Sequence, residues 1–243
     1  MNIMKKAVVL LHGFGEDATI WSGYVPFLQK DFYMIVPEYA RLSNLKSIED
    51  YADFVEKEVT SKGFEKCVII GHSMGGYIAL AFAEKYPEKV LGLGLFHSTA
   101  FADSDEKKAA RDKNVEFLKT HGAEAFIKVS TPNLYAEAFA KKYPEIIQKH
   151  IEVSSTLPVE ALITGMEAMR DRPDRKHVLK SLRCPVMFII GEKDKSVNPA
   201  DAKAQIMIPK FFSSSILDEV GHMGMVEEPE DCLKFVGKFL LKC

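Results

Sequence analysis

"VIIGHSMGGYIAL", residues 68–80, begins as a buried strand and ends as the apolar face of a helix. Between the two lie Gly71, His72, Ser73, Met74, Gly75 and Gly76. A Gly-x-Ser-x-Gly match alone is weak, since roughly 0.08 would arise by chance in a chain this long. Its setting gives it weight. "GHSMG" leaves a strand and enters a helix directly, the strand–turn–helix context of a nucleophile elbow. The glycines lack Cβ, so neighbouring elements can crowd a tight turn. Ser73 then projects at the carboxyl end of the strand, where open α/β sheets bind ligands. The bland alternative is a glycine-rich helix start with an N-capping serine.

Working outward, short apolar runs alternate with helical patterns. Strands are predicted over 6–13, 33–39, 66–71, 89–98, 185–191 and 213–221. Helices are predicted near 18–30, 47–63, 74–85, 199–208 and 228–241. This rhythm implies an α/β fold, a mostly parallel sheet of about six strands covered by helices on both faces. From 99 to 181 the rhythm stops, and three segments with helical spacing replace it. So long a stretch between strands is not a bare loop. The expected organisation is a core of residues 1–98 and 182–243 with a helical cap, 99–181, inserted above the sheet.

A serine hydroxyl is a poor nucleophile without a positioned base. "IIGEKDKSVNP" puts Asp194 just past a strand, and "LDEVGHMGMVEEPE" does the same for His222. The order Ser73, Asp194, His222 is that of triads built around such an elbow. His222 would take the Ser73 proton and Asp194 would hold the imidazole in its useful tautomer. Read singly, Asp194 is a solvated turn acid and His222 a capping or surface histidine. In "LLHGFG", Gly13 and Gly15 let the loop double back, so the Phe14 N–H can join that of Met74 as an oxyanion hole. His12, tight against the strand end, reads as structural.

The pocket is less legible. Trp21 lies near the oxyanion loop as core packing or as a pocket wall, and His97 follows a strand that ends nearby. "GMEAMRDRPDR" puts Met166 and Met169 on one helical face, suited to an adaptable apolar wall. Arg170, Arg172 and Arg175 beside them either bind a substrate carboxylate or are solvated cap charges, the commoner role.

With 32 basic and 34 acidic residues the net charge is −2, which gives no reason to expect nucleic acid or an anionic membrane as partner. Cys67, Cys184, Cys232 and Cys243 show no metal-ligand spacing and read as buried or incidental thiols. The apolar stretch Ala7 to Leu11 is shorter than the core of a signal peptide, and no run approaches a membrane span. A reducing cytoplasm is the expected setting. No repeat or flexible linker interrupts the chain.

Together "HGFG", "GHSMGG", "GEKDKSVNP" and "GHMGMVEEPE" resemble the α/β-hydrolase superfamily, in order, from residue 12 to residue 230. Within it the chain looks most like bacterial carboxylesterases with a helical cap. The resemblance implies a cofactor-free serine hydrolase acting on small to medium carboxylic esters through an acyl-enzyme. Relatives implied alongside are carbon–carbon bond hydrolases, lyases and perhydrolases or haloperoxidases on the same triad, and non-turnover ligand receptors. Two departures stand out. Only about five residues precede the strand ending in "HG", where the family usually has two further strands, so six parallel strands are expected, ordered 4-3-5-6-7-8 in family numbering. The loop "PEYARLSNLKSIED" also lacks the glycines that relatives often carry there.

Overall fold

A computed structural model describes residues 5–243. The first half runs β1 (Ala7–Leu11), α1 (Val25–Leu28), β2 (Tyr33–Ile35), α2 (Ile48–Ser61), β3 (Cys67–His72), α3 (Met74–Lys85) and β4 (Val90–Phe96). There follow α4 (Asp105–Ser130), α5 (Glu137–Lys142), α6 (Pro144–Ser154), α7 (Val159–Asp171) and α8 (Lys176–Ser181). The chain closes with β5 (Val186–Gly191), α9 (Pro199–Ala204), β6 (Phe212–Leu217), α10 (Gly224–Glu227) and α11 (Pro229–Leu240).

The six strands form one parallel sheet in the order β2-β1-β3-β4-β5-β6, the arrangement expected from the resemblance. β1, β3 and β5 are buried at every position, as central strands covered on both faces must be. β6, at an edge, alternates between exposed and half-buried residues. The chain passes from β1 out to β2 and returns across β1 to β3, so the strand order reverses between β1 and β3. Crevices for ligands open at such switch points, beyond the carboxyl ends of the strands. The loops after β1, β3, β4, β5 and β6 all emerge on that edge.

Local chemistry sets the element ends. Ser47 caps α2 in a reciprocal box, its hydroxyl accepting from the Asp50 N–H at 3.1 Å while the Asp50 carboxylate accepts from the Ser47 N–H at 2.9 Å. The helix expected over 18–30 is instead a single 3₁₀ turn, Ala18–Trp21, followed by the short α1. Gly23 separates them, and Pro26, lacking an N–H, fits only in the first turn of a helix. The second and last strands are shorter than expected, stopping at Ile35 and Leu217. The helical excursion between β4 and β5 contains no strand among the described residues, and α4 kinks at Gly122, which has a φ of 78°.

Backbone crowding at the β3–α3 junction leaves no room for side chains. A Cβ on Gly71 would stand 2.0 Å from the Gly75 carbonyl oxygen, and one on Gly75 would stand 2.6 Å from that of Leu11. Gly71→Ala is expected to cost about 3 kcal/mol or more, lowering Tm by roughly 6–12 °C at ~2–4 °C per kcal/mol. Gly237, within α11, has open space around its Cβ position and no unusual φ. Gly237→Ala should therefore raise stability by ~0.5–1 kcal/mol through helix propensity. Thermal melts of the two variants check both signs.

Candidate active site

Ser73 sits on the turn from β3 into α3 with φ 51° and ψ −116°, a left-handed conformation that a non-glycine residue rarely holds. Its N–H donates to the Phe96 carbonyl at 2.9 Å and its carbonyl accepts from the Ser98 hydroxyl at 2.7 Å, so β4 and its following loop grip the strained turn. The Ser73 side chain reaches a cavity of about 270 Å³ also lined by Phe14, Tyr77, Leu134, Met169 and His222. Among the described residues Ser73 Oγ makes no hydrogen bond, and the Phe14 and Met74 N–H groups have no backbone or side-chain acceptor.

Asp194 and His222 meet behind that cavity. His222 Nδ1 lies 2.7 Å from Asp194 Oδ2, and both residues are buried. The other carboxylate oxygen of Asp194 accepts from the Ser196 and Val197 N–H groups at 2.7 and 2.9 Å. Burial alone would push the Asp194 pKa up, but the charge and hydrogen bond of His222 outweigh it and hold the carboxyl below its usual range. His222 is further fixed through its backbone, its N–H donating to the Leu134 carbonyl at 2.7 Å. Glu227, in α10, gathers the N–H groups of Gly221, Met223 and Ala136, tying the His222 turn to the helical excursion.

His72, beside Ser73, carries a role that motif reading missed. One ring nitrogen meets the Glu16 carboxylate at 2.9 Å and the other meets the His222 carbonyl at 2.8 Å. Both partners only accept, so both nitrogens must donate, and only an imidazolium does that. Burial would lower the His72 pKa, but the Glu16 charge and hydrogen bond, together with the His222 carbonyl, raise it above 6.5. Glu16 in turn, which burial would raise, is brought down to about 2 by His72 and by the Gly13 N–H, which donates to it at 2.7 Å. One buried ion pair thus joins the loop after β1, the elbow and the His222 turn.

The remaining residues expected at the site are placed as follows. His12 is structural: its ring stacks on Tyr39 at 3.8 Å, and its Nδ1–H donates to the Gly13 carbonyl at 2.9 Å. Trp21 is fully buried edge-on against Tyr24 and Phe96 and is core, not pocket wall. His97 does not reach the cavity either. It has a φ of 47°, and its nitrogens face the Gly191 and Gly224 N–H groups, each at 3.1 Å. Burial drives its pKa well below 6.5, and a neutral imidazole satisfies one of those two donors. Met166 packs one turn behind the cavity, and Met169 takes the wall position. Arg172 and Arg175 are buried in ion pairs with Asp103 and with Glu49 and Glu84, while Arg170 bridges Asp112 and Asp171 at the surface. Lys107, Arg111 and Lys195 line the cavity instead. Lys107 and Arg111 come from α4 and Lys195 from the turn after β5, placements that spacing does not reveal. Among the described residues no group of three or more His, Cys, Asp or Glu side chains could hold a metal ion, and no helix is long and apolar enough to cross a membrane.

The Glu16–His72 pair makes stability depend on pH with a defined sign. The lowered Glu16 pKa contributes stability above 4.5 that is lost as pH falls through about 2. The raised His72 pKa contributes stability below 6.5 that is lost as pH rises through its folded value. Glu16→Gln leaves a buried imidazolium unpaired, at a cost of about 3–5 kcal/mol between those limits. The difference from wild type should shrink on either side. Urea unfolding across the pH range measures it, and a difference that is flat with pH would refute the pairing.

Comparison with known proteins agrees with this architecture. The chain is similar to a thermophilic esterase from Thermogutta terrifontis, solved with malate bound, at 28% identity and a TM-score of 0.92 over 98% of this chain and 90% of that one. It is similar in fold to the enol-lactonase of Burkholderia xenovorans LB400, at 20% identity and a TM-score of 0.89 over 98% and 92% of the two chains. In sequence it is similar to Lipase 3 of a Moraxella species, 22% identical over 95% of this chain and 76% of the lipase. The alpha/beta hydrolase family profile matches residues 8–235, from the first strand into the last helix. The chain belongs to the α/β hydrolase family.

Proposed function

We propose that this enzyme is a serine hydrolase that cleaves small to medium carboxylic esters through an acyl-enzyme. The observation that carries the reading is the 2.7 Å contact of His222 Nδ1 with a buried Asp194 carboxylate, on the same cavity that the Ser73 side chain lines. Asp194 holds the proton on Nδ1, leaving Nε2 to take the Ser73 proton as Oγ attacks the ester carbonyl. Negative charge then develops on the carbonyl oxygen. The Phe14 and Met74 N–H groups receive it, each such donor being worth about 2.7–4 kcal/mol in the transition state. Collapse expels the alcohol, which collects the proton from His222. Water attacks the acyl-Ser73 ester by the same route and frees the acid.

The cavity supports a small substrate, since ~300–1,000 Å³ is usual for ligand pockets and this one holds about 270 Å³. Helices α4–α7 act in this reading as a cap. Lys107 on α4 donates to the Ser196 carbonyl at 2.9 Å, joining them to the turn that carries Asp194. An esterase and a lipase among the relatives point the same way.

A panel of p-nitrophenyl esters of graded acyl length tests the reading, with a fluorophosphonate probe to mark the nucleophile. Turnover should be highest on short acyl chains and fall on long ones, with the probe on Ser73. Ser73→Ala should lower kcat by roughly 10⁴–10⁶-fold, and Asp194→Asn by about 10⁴-fold. Wild-type turnover by Ser73→Ala protein, or probe attached elsewhere, would overturn it.

A further inference from the structure

The cavity beside Ser73 carries more positive charge than ester cleavage uses. Lys107 and Arg111 reach it from α4, and Lys195 reaches it from the turn after β5. Among the described lining residues Glu16 is the one carboxylate, and it is already held by His72 and the Gly13 N–H. No lining acid is therefore left to neutralise the three cations.

Arg111 is the best placed of them, with its side chain 12% exposed. Its Nε is anchored on the Asp103 carboxylate. Its Nη1 faces only the Met166 and Met169 sulfurs, at 3.5 and 3.6 Å, which are weak acceptors. Asp103 does not balance Arg111 alone. Its second oxygen lies 2.8 Å from Nη2 of Arg172, a buried guanidinium stacked 3.8 Å over the Tyr77 ring. One buried carboxylate thus serves two guanidiniums and also lies 4.0 Å from the Lys107 ammonium, so three cations share one acid and the cluster has a net positive charge against a small cavity. Burying unbalanced charge is costly unless a counter-ion joins it. Among the described residues Arg111 Nη2 has no hydrogen-bond partner and Nη1 has only the weak sulfur acceptors, so the guanidinium held at Nε keeps N–H donors suited to a carboxylate.

We propose that Arg111, with Lys107 and Lys195 at the cavity mouth, binds a carboxylate borne by the substrate, so that the preferred esters are anionic ones. This rests on the ester-hydrolase reading of the same cavity for its reaction. The binding claim is separable from it. Levulinate and methyl propyl ketone are matched in shape, differ by a carboxylate, and contain no ester to cleave. In NMR titrations the wild-type enzyme should bind levulinate about tenfold or more tightly than the ketone, as a charge-assisted contact provides. Arg111→Gln should reduce that preference to about twofold or less, and Arg111→Lys, which keeps the charge and loses the fork, should fall between. Arg170→Gln, on the surface and paired with Asp112 and Asp171, should retain the wild-type preference and so controls for net charge. Melting curves establish that each variant is folded.

A kinetic arm finds which half of the ester carries the charge. p-Nitrophenyl hemisuccinate against p-nitrophenyl butyrate probes the acyl side, and acetoxyacetate against ethyl acetate probes the alcohol side. A raised kcat/KM for the charged member of one pair, lost in Arg111→Gln, is the expected result. Equal binding of levulinate and ketone by wild type, or an unchanged preference in folded Arg111→Gln, would overturn the proposal. If levulinate is preferred and no ester is cleaved, the anion site stands and the ester-hydrolase reading fails.

Discussion

The structure turns on how closely two backbones approach where β3 becomes α3. The strand must hand over to a helix within one residue, and that residue, Ser73, is held at a positive φ. Such a turn persists only where surrounding contacts outweigh its strain. Here the grip comes from the end of β1 against Gly75, the Ser98 side chain against Gly76, and the two hydrogen bonds from β4 and its loop. Everything beyond inherits its position from this junction. The α3 axis, the free Met74 N–H and the cavity floor are all consequences of the chain turning there and nowhere else.

Charge then locks together what the sheet places side by side. The loop after β1, the end of β3 and the loop after β6 are far apart along the chain, yet Glu16, His72 and the His222 carbonyl connect them in a few ångströms of dry protein. The enzyme uses histidine in opposite ways within this small volume. His72 has two acceptors and is charged, whereas His12 and His97 are buried without enough compensation and are neutral. The residue type is the same, and the partners decide the charge. In the reading given above, the charged imidazole positions and the neutral ones pack, while His222 alone faces the reacting atoms.

The helices between β4 and β5 are joined to the core by polar contacts at the site itself. Leu134 and Ala136 reach the His222 turn through the His222 N–H and the Glu227 carboxylate, and Lys107 reaches the Asp194 turn. Any shift of these helices is therefore felt by the acid and the histidine. In the reading given above this places selectivity and positioning in one segment, since α4 also brings Arg111 to the cavity.

Periodicity by itself determined the alternation of strands and helices and the parallel sense of the sheet, and it put Ser73, Asp194 and His222 each just past a strand end; the strand order and the grouping of the three came from the resemblance. The features read from periodicity follow from local rules, because β-branched runs, helix caps and tight turns act over a few residues. Neither Glu16 nor Arg111 stands out in the chain, and Trp21, His97 and Met166 drew notice that their positions do not support. Glu16 acquires meaning only from a partner 56 residues away, and Arg111 only from the path of α4 over the strand ends. Tertiary structure decided these roles, because burial and pairing are properties of the neighbours that folding brings, and a titratable side chain carries no mark in sequence of which neighbours it will meet.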